Sequence, residues 1–184
     1  VLPRLSTEAE EQHSVPTAGL LAQGQSPKAP AVKAQPVANP AKKSPSSSVQ
    51  SLRNIGKAYY EQAKYVESIE EFKKVLASGS AIATDHLNLG LALMQAGKLN
   101  DALAALTTAK QMDPKLAPVD YNLGILFKRE LRYPDAEAAL RRVIETDPRD
   151  PAAWFNLGTV YFAQRKLEEA LQAHGHVVEM GFGQ

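Results

Sequence analysis

The 184-residue chain is 44% hydrophobic and 22% charged, ordinary for a globular protein, and its formal charge of +1 makes no global electrostatic case for nucleic acid or an anionic membrane. It contains no cysteine, which excludes disulfides, thiolate metal sites and cysteine nucleophiles together. No apolar run approaches the length needed to span a bilayer.

Residues 1–48 hold seven of the twelve prolines and none of the twelve aromatic residues. Such a segment buries too little apolar surface to offset the entropy of ordering, so a disordered linker is expected there. Its part "SPKAPAVKAQPVANPAKKSP" (26–45) is expected to sample extended polyproline II, as a semi-stiff spacer. Pro27-Lys28-Ala29-Pro30 fits the loose P-x-x-P pattern, although a plain spacer accounts for it as well. The apolar stretch "AGLLA" (18–22) is too short for a signal-peptide core and lacks a basic flank. The chain opens on Val1, which reads as a processed protein or a fragment. The Pro/Lys/Ala spacer resembles those that follow bacterial export signals, so a periplasmic or exported location is expected over a cytoplasmic one.

From about Ser48 the pattern changes to apolar residues at i, i+3, i+4 and i+7, the helical spacing. Turn signals separate the periodic stretches: "AGKLND" (96–101), "DP" (113–114), "RYPD" (132–135) and "DPRDP" (147–151). No segment alternates in the manner of a strand, so the region is expected to be all α. Gly97 is expected to end one helix in a left-handed cap, Asn100 to open the next, and Pro134 to sit in the first turn of another.

The helical region repeats itself. Gly56, Gly90, Gly124 and Gly158 are spaced 34 residues apart, and each follows an Asn and an apolar residue: "NIG", "NLG", "NLG", "NLG". Twelve residues after each Gly stands a small residue, Ser68, Ala102, Ala136 or Ala170. Sixteen after come Phe72, Leu106, Leu140 and His174, and three after come Tyr59, Leu93, Phe127 and Tyr161. This period and these residues resemble the tetratricopeptide repeat, a helix–turn–helix unit. The resemblance implies a right-handed α-solenoid of four repeats, 49–82, 83–116, 117–150 and 151–184. Each Gly is expected to meet the small residue twelve later where the first helix of a repeat crosses the second, with the residue three after the Gly plugging the space beside it. One repeat cannot bury its own apolar face, so neighbours stack.

Packing explains the Gly but not the Asn before it, since Asn is a mediocre helix former. In the family the first helices line the concave surface, where an Asn ladder can hold the backbone of an extended peptide by both donating and accepting. Asn54, Asn88, Asn122 and Asn156 are therefore candidate peptide contacts, with hydrogen bonding between helices of the array as the other explanation. The family's groove positions add Arg53, Lys57 and Tyr60 in repeat one and Leu87, Leu91 and Met94 in repeat two. They add Tyr121, Ile125, Lys128 and Arg129 in repeat three, and Phe155, Thr159 and Phe162 in repeat four. Together these describe an apolar, aromatic-rich channel of the sort that binding hot spots favour. The carboxylate clamp of chaperone-binding members is not expected, because Pro118 and Asn122 stand where it would have Lys and Arg.

Nothing else in the chain points to catalysis. There is no P-loop, G-x-G-x-x-G, H-E-x-x-H or G-x-S-x-G motif, and no cofactor is implied. His174 and His176 are two apart, so on a helix they point in different directions and make a poor metal pair. Residues 49–184 carry 16 Lys and Arg against 17 Asp and Glu, which reads as a mixed-charge surface with no nucleic-acid partner. The expected function is a non-enzymatic scaffold that binds a protein or peptide partner in the concave groove. The alternative is a structural or oligomerisation module, or a non-catalytic arm of a larger exported bacterial protein. No polar capping helix follows repeat four, so a face centred on Leu171, Val177 and Val178 is expected to be exposed and to drive self-association.

Overall fold

The computed structural model describes residues 45–182. The expected linker lies outside the described residues except for its last four, which are already helical. Eight α-helices follow one another: α1 (Pro45–Glu61), α2 (Tyr65–Ala77), α3 (Ala83–Gln95), α4 (Leu99–Met112), α5 (Ala117–Arg129), α6 (Tyr133–Thr146), α7 (Pro151–Ala163) and α8 (Leu167–Val177). A single π-helical turn, Val178–Phe182, ends the described chain, with Gly181 in the left-handed region at φ +95°. There is no strand among the described residues. α1 begins four residues before the expected border, at Pro45, where a missing backbone N–H is harmless because the first-turn donors have no helical partner.

The turn inside each repeat has one fixed geometry. Ala63, Gly97, Leu131 and Arg165, 34 residues apart, all have positive φ, at 56°, 74°, 59° and 64°. Two backbone bonds close each turn; in repeat two Gly97 N–H donates to Met94 at 3.2 Å and Lys98 N–H to Leu93 at 2.9 Å. This six-to-one plus five-to-two pairing is the Schellman arrangement. Gly97 is thus the expected left-handed cap, but three of the four repeats hold the same conformation without glycine. The residue that follows is basic every time: Lys64, Lys98, Arg132 and Lys166. It stands at the negative end of the helix just finished, and an acid three further on (Glu67, Asp101, Asp135, Glu169) stands at the positive end of the next. α4 begins at Leu99, so Asn100 lies within its first turn instead of opening it, and Lys98 is the flanking residue. Pro134 is the second residue of α6, as expected.

The helices of each pair pack on each other, and each pair packs on the next: α1 on α2, α2 on α3, α3 on α4, and so on to α8. At each crossing the Gly is filled by the residue sixteen later and not by the small one twelve later. A Cβ on Gly90 would lie 2.8 Å from Leu106 Cγ, and on Gly124 2.8 Å from Leu140 Cγ. The small residue contributes its backbone instead, the Ala102 and Ala136 carbonyls lying 3.5 and 3.6 Å from those Cβ positions. In repeat one Phe72 takes the plug position and the Ser68 hydroxyl donates to the Gly56 carbonyl at 2.8 Å. In repeat four the plug is the His174 imidazole.

Candidate functional site: the inner face of the array

α1 touches α3, α3 touches α5 and α5 touches α7, with no comparable set of contacts among the even-numbered helices. Helices one repeat apart meet only on the inside of a bend. The odd helices therefore line the inner face, where the Asn ladder and the candidate groove residues stand.

The face is uneven along its length. In repeat one Arg53 is held by Asp85 of α3, its Nε and Nη2 donating to the two carboxylate oxygens at 2.8 Å each. Nη2 also donates to the Ser80 carbonyl at 3.0 Å, and Asp85 takes a further bond from Ile82 N–H at 2.9 Å. Asp85 is 1% exposed, so this pair is a joint between the first two repeats. The Asp85 bond comes first, ahead of burial, among the influences on the Arg53 guanidinium, and it holds the group further above its ordinary value. Asn54 is exposed and accepts from Gln50 at 3.1 Å, while Lys57 and Tyr60 are half-buried.

Repeat two departs from the expected channel. Leu87, Leu91 and Met94 are at most 4% exposed and share one cluster with the partly buried Tyr60 and Ile125. They do not line an open groove, because the curvature of the array brings α1 and α5 over α3. Asn88 is 1% exposed and its Oδ1 has no hydrogen-bond partner.

Repeats three and four form the open part. Tyr121, Ile125 and Lys128 are half-buried and Arg129 is exposed, its Nη1 donating to the Met94 carbonyl at 3.1 Å. Asn122 donates to the Pro118 carbonyl of its own helix at 2.7 Å. Asn156 donates to the Ala152 carbonyl at 2.8 Å and to the Tyr121 hydroxyl at 3.1 Å, while its Oδ1 accepts from Lys128 Nζ. The four rungs thus have different partners, and Asn156 is a tie between α5 and α7. Burial, then the charge of Arg129, lowers the Lys128 ammonium from its ordinary range. Burial, then the Asp150 carboxylate, pushes the Tyr121 phenol up against the opposing effect of the Asn156 bond. On α7, Phe155 is 46% and Phe162 65% exposed, with Thr159 between them donating to the Phe155 carbonyl at 3.0 Å. Between the third and fourth repeats Ala117, Pro118, Tyr121, Thr146, Asp147, Asp150 and Ala152 line a cleft of about 210 Å³.

Two buried carboxylates escaped the sequence reading. Besides Asp85 there is Asp120, 7% exposed, which takes bonds from Lys110 of α4 and from Arg142 Nε of α6 at 3.0 Å. Their signal in sequence is an acid in the first turn of an otherwise apolar helix, which resembles ordinary dipole pairing. The two histidines separate as their spacing requires. The His174 ring lies 5.4 Å from that of Phe155, and the His176 ring 4.3 Å from that of Trp154. No group of three or more His, Asp or Glu is placed to hold a metal among the described residues. No helix among them is long and apolar enough to cross a membrane.

The sequence profile of the tetratricopeptide repeat matches residues 49–117 and 121–175. The chain belongs to the tetratricopeptide repeat family. No curated protein matches it by sequence. Among solved structures it is similar to MamA, at 23% identity over 72% of this chain and 77% of that one, with a TM-score of 0.68. It is also similar to YrrB, described as a TPR protein with an unusual peptide-binding site, at 23% identity over 74% and 70% of the two chains and a TM-score of 0.67. MamA of Desulfovibrio magneticus RS-1 matches at 20% identity over 72% and 75%, with a TM-score of 0.68. These likenesses establish the fold, an all-α solenoid of helix pairs.

Proposed function

We propose that the chain binds an extended segment of a partner protein on the inner face, at the end formed by α5 and α7. The observation that carries this reading is the pair Phe155 and Phe162, large apolar side chains 46% and 65% exposed on a helix that is apolar nearly all round. Exposed aromatic residues are what a binding surface favours and what a bare surface avoids. Tyr121 is tied to the same helix through Asn156, and the peptide-binding site ascribed to YrrB, a protein of the same fold, is in keeping with such a use. On this reading the seat of binding is narrower than the whole ladder. Asn156 is already engaged within the array, and Leu87, Leu91 and Met94 act as core. The scaffold does no chemistry of its own.

A random-peptide display library selected against the full chain supplies the probe, and fluorescence anisotropy of the enriched peptides measures it. Phe162→Ser is expected to weaken them by about tenfold or more, ~1.4 kcal/mol, with the melting temperature unchanged. Failure to enrich any peptide, or equal affinity for the variant, would overturn the reading.

A second reading, self-association through the last repeat, has its own observation. Leu167, Leu171 and Val178 are 57%, 71% and 62% exposed on and just after α8. The patch differs from the expected one in holding Leu167, while Val177 is half-buried.

A further inference from the structure

The two basic residues that end α5 have no basic counterpart in the other repeats. Lys128 and Arg129 are in register with Tyr60 and Glu61, Met94 and Gln95, and Phe162 and Ala163. Three repeats form the same turn without a cation at either position, so the fold does not call for one as a helix-end charge. Nor do the two side chains serve the end of their own helix. Lys128 Nζ reaches across to Asn156 Oδ1 on α7, and Arg129 Nη1 reaches the other way to the Met94 carbonyl on α3 at 3.1 Å. Both heads thus sit among the odd helices, on the inner face.

Neither head has a carboxylate partner among the described residues, whereas Arg53, Lys110 and Arg142 each have one. The acids of α3 and α5 are Asp85 and Asp120, both buried and already taken up by those three cations. α7 contains no charged residue, and Glu61 stands at the end of α1, two repeats away. Asp150, near Tyr121, is occupied in capping α7, where it accepts from Ala152 and Ala153 N–H at 2.8 and 3.1 Å. The half-buried Lys128 ammonium registers the deficit: burial, then the like charge of Arg129, lowers it, and no acid opposes them. Two neighbouring like charges without a counter-charge favour the arrival of an anion.

Phe162 is the α7 counterpart of Lys128, and α5 touches α7, so the cations stand one inner helix away from the exposed aromatic pair. We propose that the partner segment carries an acidic side chain, Asp or Glu, close to an apolar one. Lys128 and Arg129 take up the carboxylate while the apolar residue packs on Phe155 and Phe162. This rests on the reading of α5 and α7 as the binding end and adds to it the chemistry of the partner. Ammonium and guanidinium both donate to a carboxylate in charge-assisted bonds, and the added negative charge offsets their mutual repulsion. The segment of this chain that precedes α1 has the wrong sign for the site, with five cations against three acids in residues 1–44.

The random-peptide selection against the full chain, run at low salt, tests this on the peptide side, where the fold of the chain is not disturbed. Enriched peptides are expected to hold an Asp or Glu near an apolar residue. Changing that acid to Asn or Gln is expected to weaken them by about tenfold or more. On a chain carrying Lys128→Gln and Arg129→Gln, binding is expected to be weak already, and the change of acid to amide to cost nothing further. Peptides that need Phe162 but tolerate loss of the acid would preserve the binding end and overturn its acidic partner. If changing Glu8, Glu10 and Glu11 to Gln tightens the enriched peptides and their amide forms alike, that stretch is the occupant and the assignment to a partner fails. Failure to enrich any peptide would overturn the binding end and the acidic partner together.

Discussion

The left-handed turn residue shows how one dihedral angle recurs through the molecule. Gly97 holds φ +74° with nothing within 4 Å of where a Cβ would stand, so its role is conformational alone. Leu131 occupies the equivalent turn at φ +59° and is 69% exposed, so it carries the strain of a side chain in that region with little packing in return. A left-handed L-residue costs about 1–2 kcal/mol, and glycine gives back part of this in chain entropy. Leu131→Gly is therefore expected to stabilise by up to about 1 kcal/mol, and Gly97→Ala to destabilise by about 1 kcal/mol, in urea unfolding. The reverse signs would show that the turn is not where the strain lies. Gly97 was legible from its place after a periodic run. Ala63, Leu131 and Arg165 were not, because nothing in those side chains announces a positive φ.

At the scale of the helix pair, the crossing of α5 and α6 is set by Gly124, Ala136 and Leu140. Ala136 is 0% exposed and its carbonyl lies 3.6 Å from the space a Gly124 side chain would enter. Ala136→Leu is expected to cost about 1–3 kcal/mol, because added methylenes must push the helices apart. Ala138→Leu, two residues on and exposed, is expected to cost little; equal losses in thermal unfolding would contradict the packing. The period, the helix pairs and the crossing glycines were readable because each is a local pattern copied four times. The small residue twelve after each Gly does bring its backbone to the crossing, as expected, but the side chain that fills the Gly is the one sixteen after it and not the one three after, which only the packed pair shows. The burial of Leu87, Leu91 and Met94 was also out of reach. It depends on the curvature of the array, a sum of small rotations between repeats that no single helix encodes. Arg53 and Asp85 are legible as charges but not as partners, since they stand in different repeats.

Among the described residues, each helix pair leans on its neighbours and on nothing further away. Interior pairs are braced from both sides, while α1 and α8 are braced from one. The last pair is further weakened by an imidazole at the plug position that Leu106 and Leu140 fill elsewhere. Native-state hydrogen exchange is expected to grade accordingly, slowest in α3 to α6 and fastest in α1 and α8, since local opening follows the density of buried contacts. Uniform protection from end to end would mean that the array opens as one unit. The same neighbour-only wiring has a mechanical meaning. Among the described residues, a load drawn along the array meets no strand pair or long-range clasp that must shear before the rest yields. Helix pairs would peel away in succession, at low force and over a long extension, and re-coil in the opposite order when the tension falls. Such an array behaves as a soft spring.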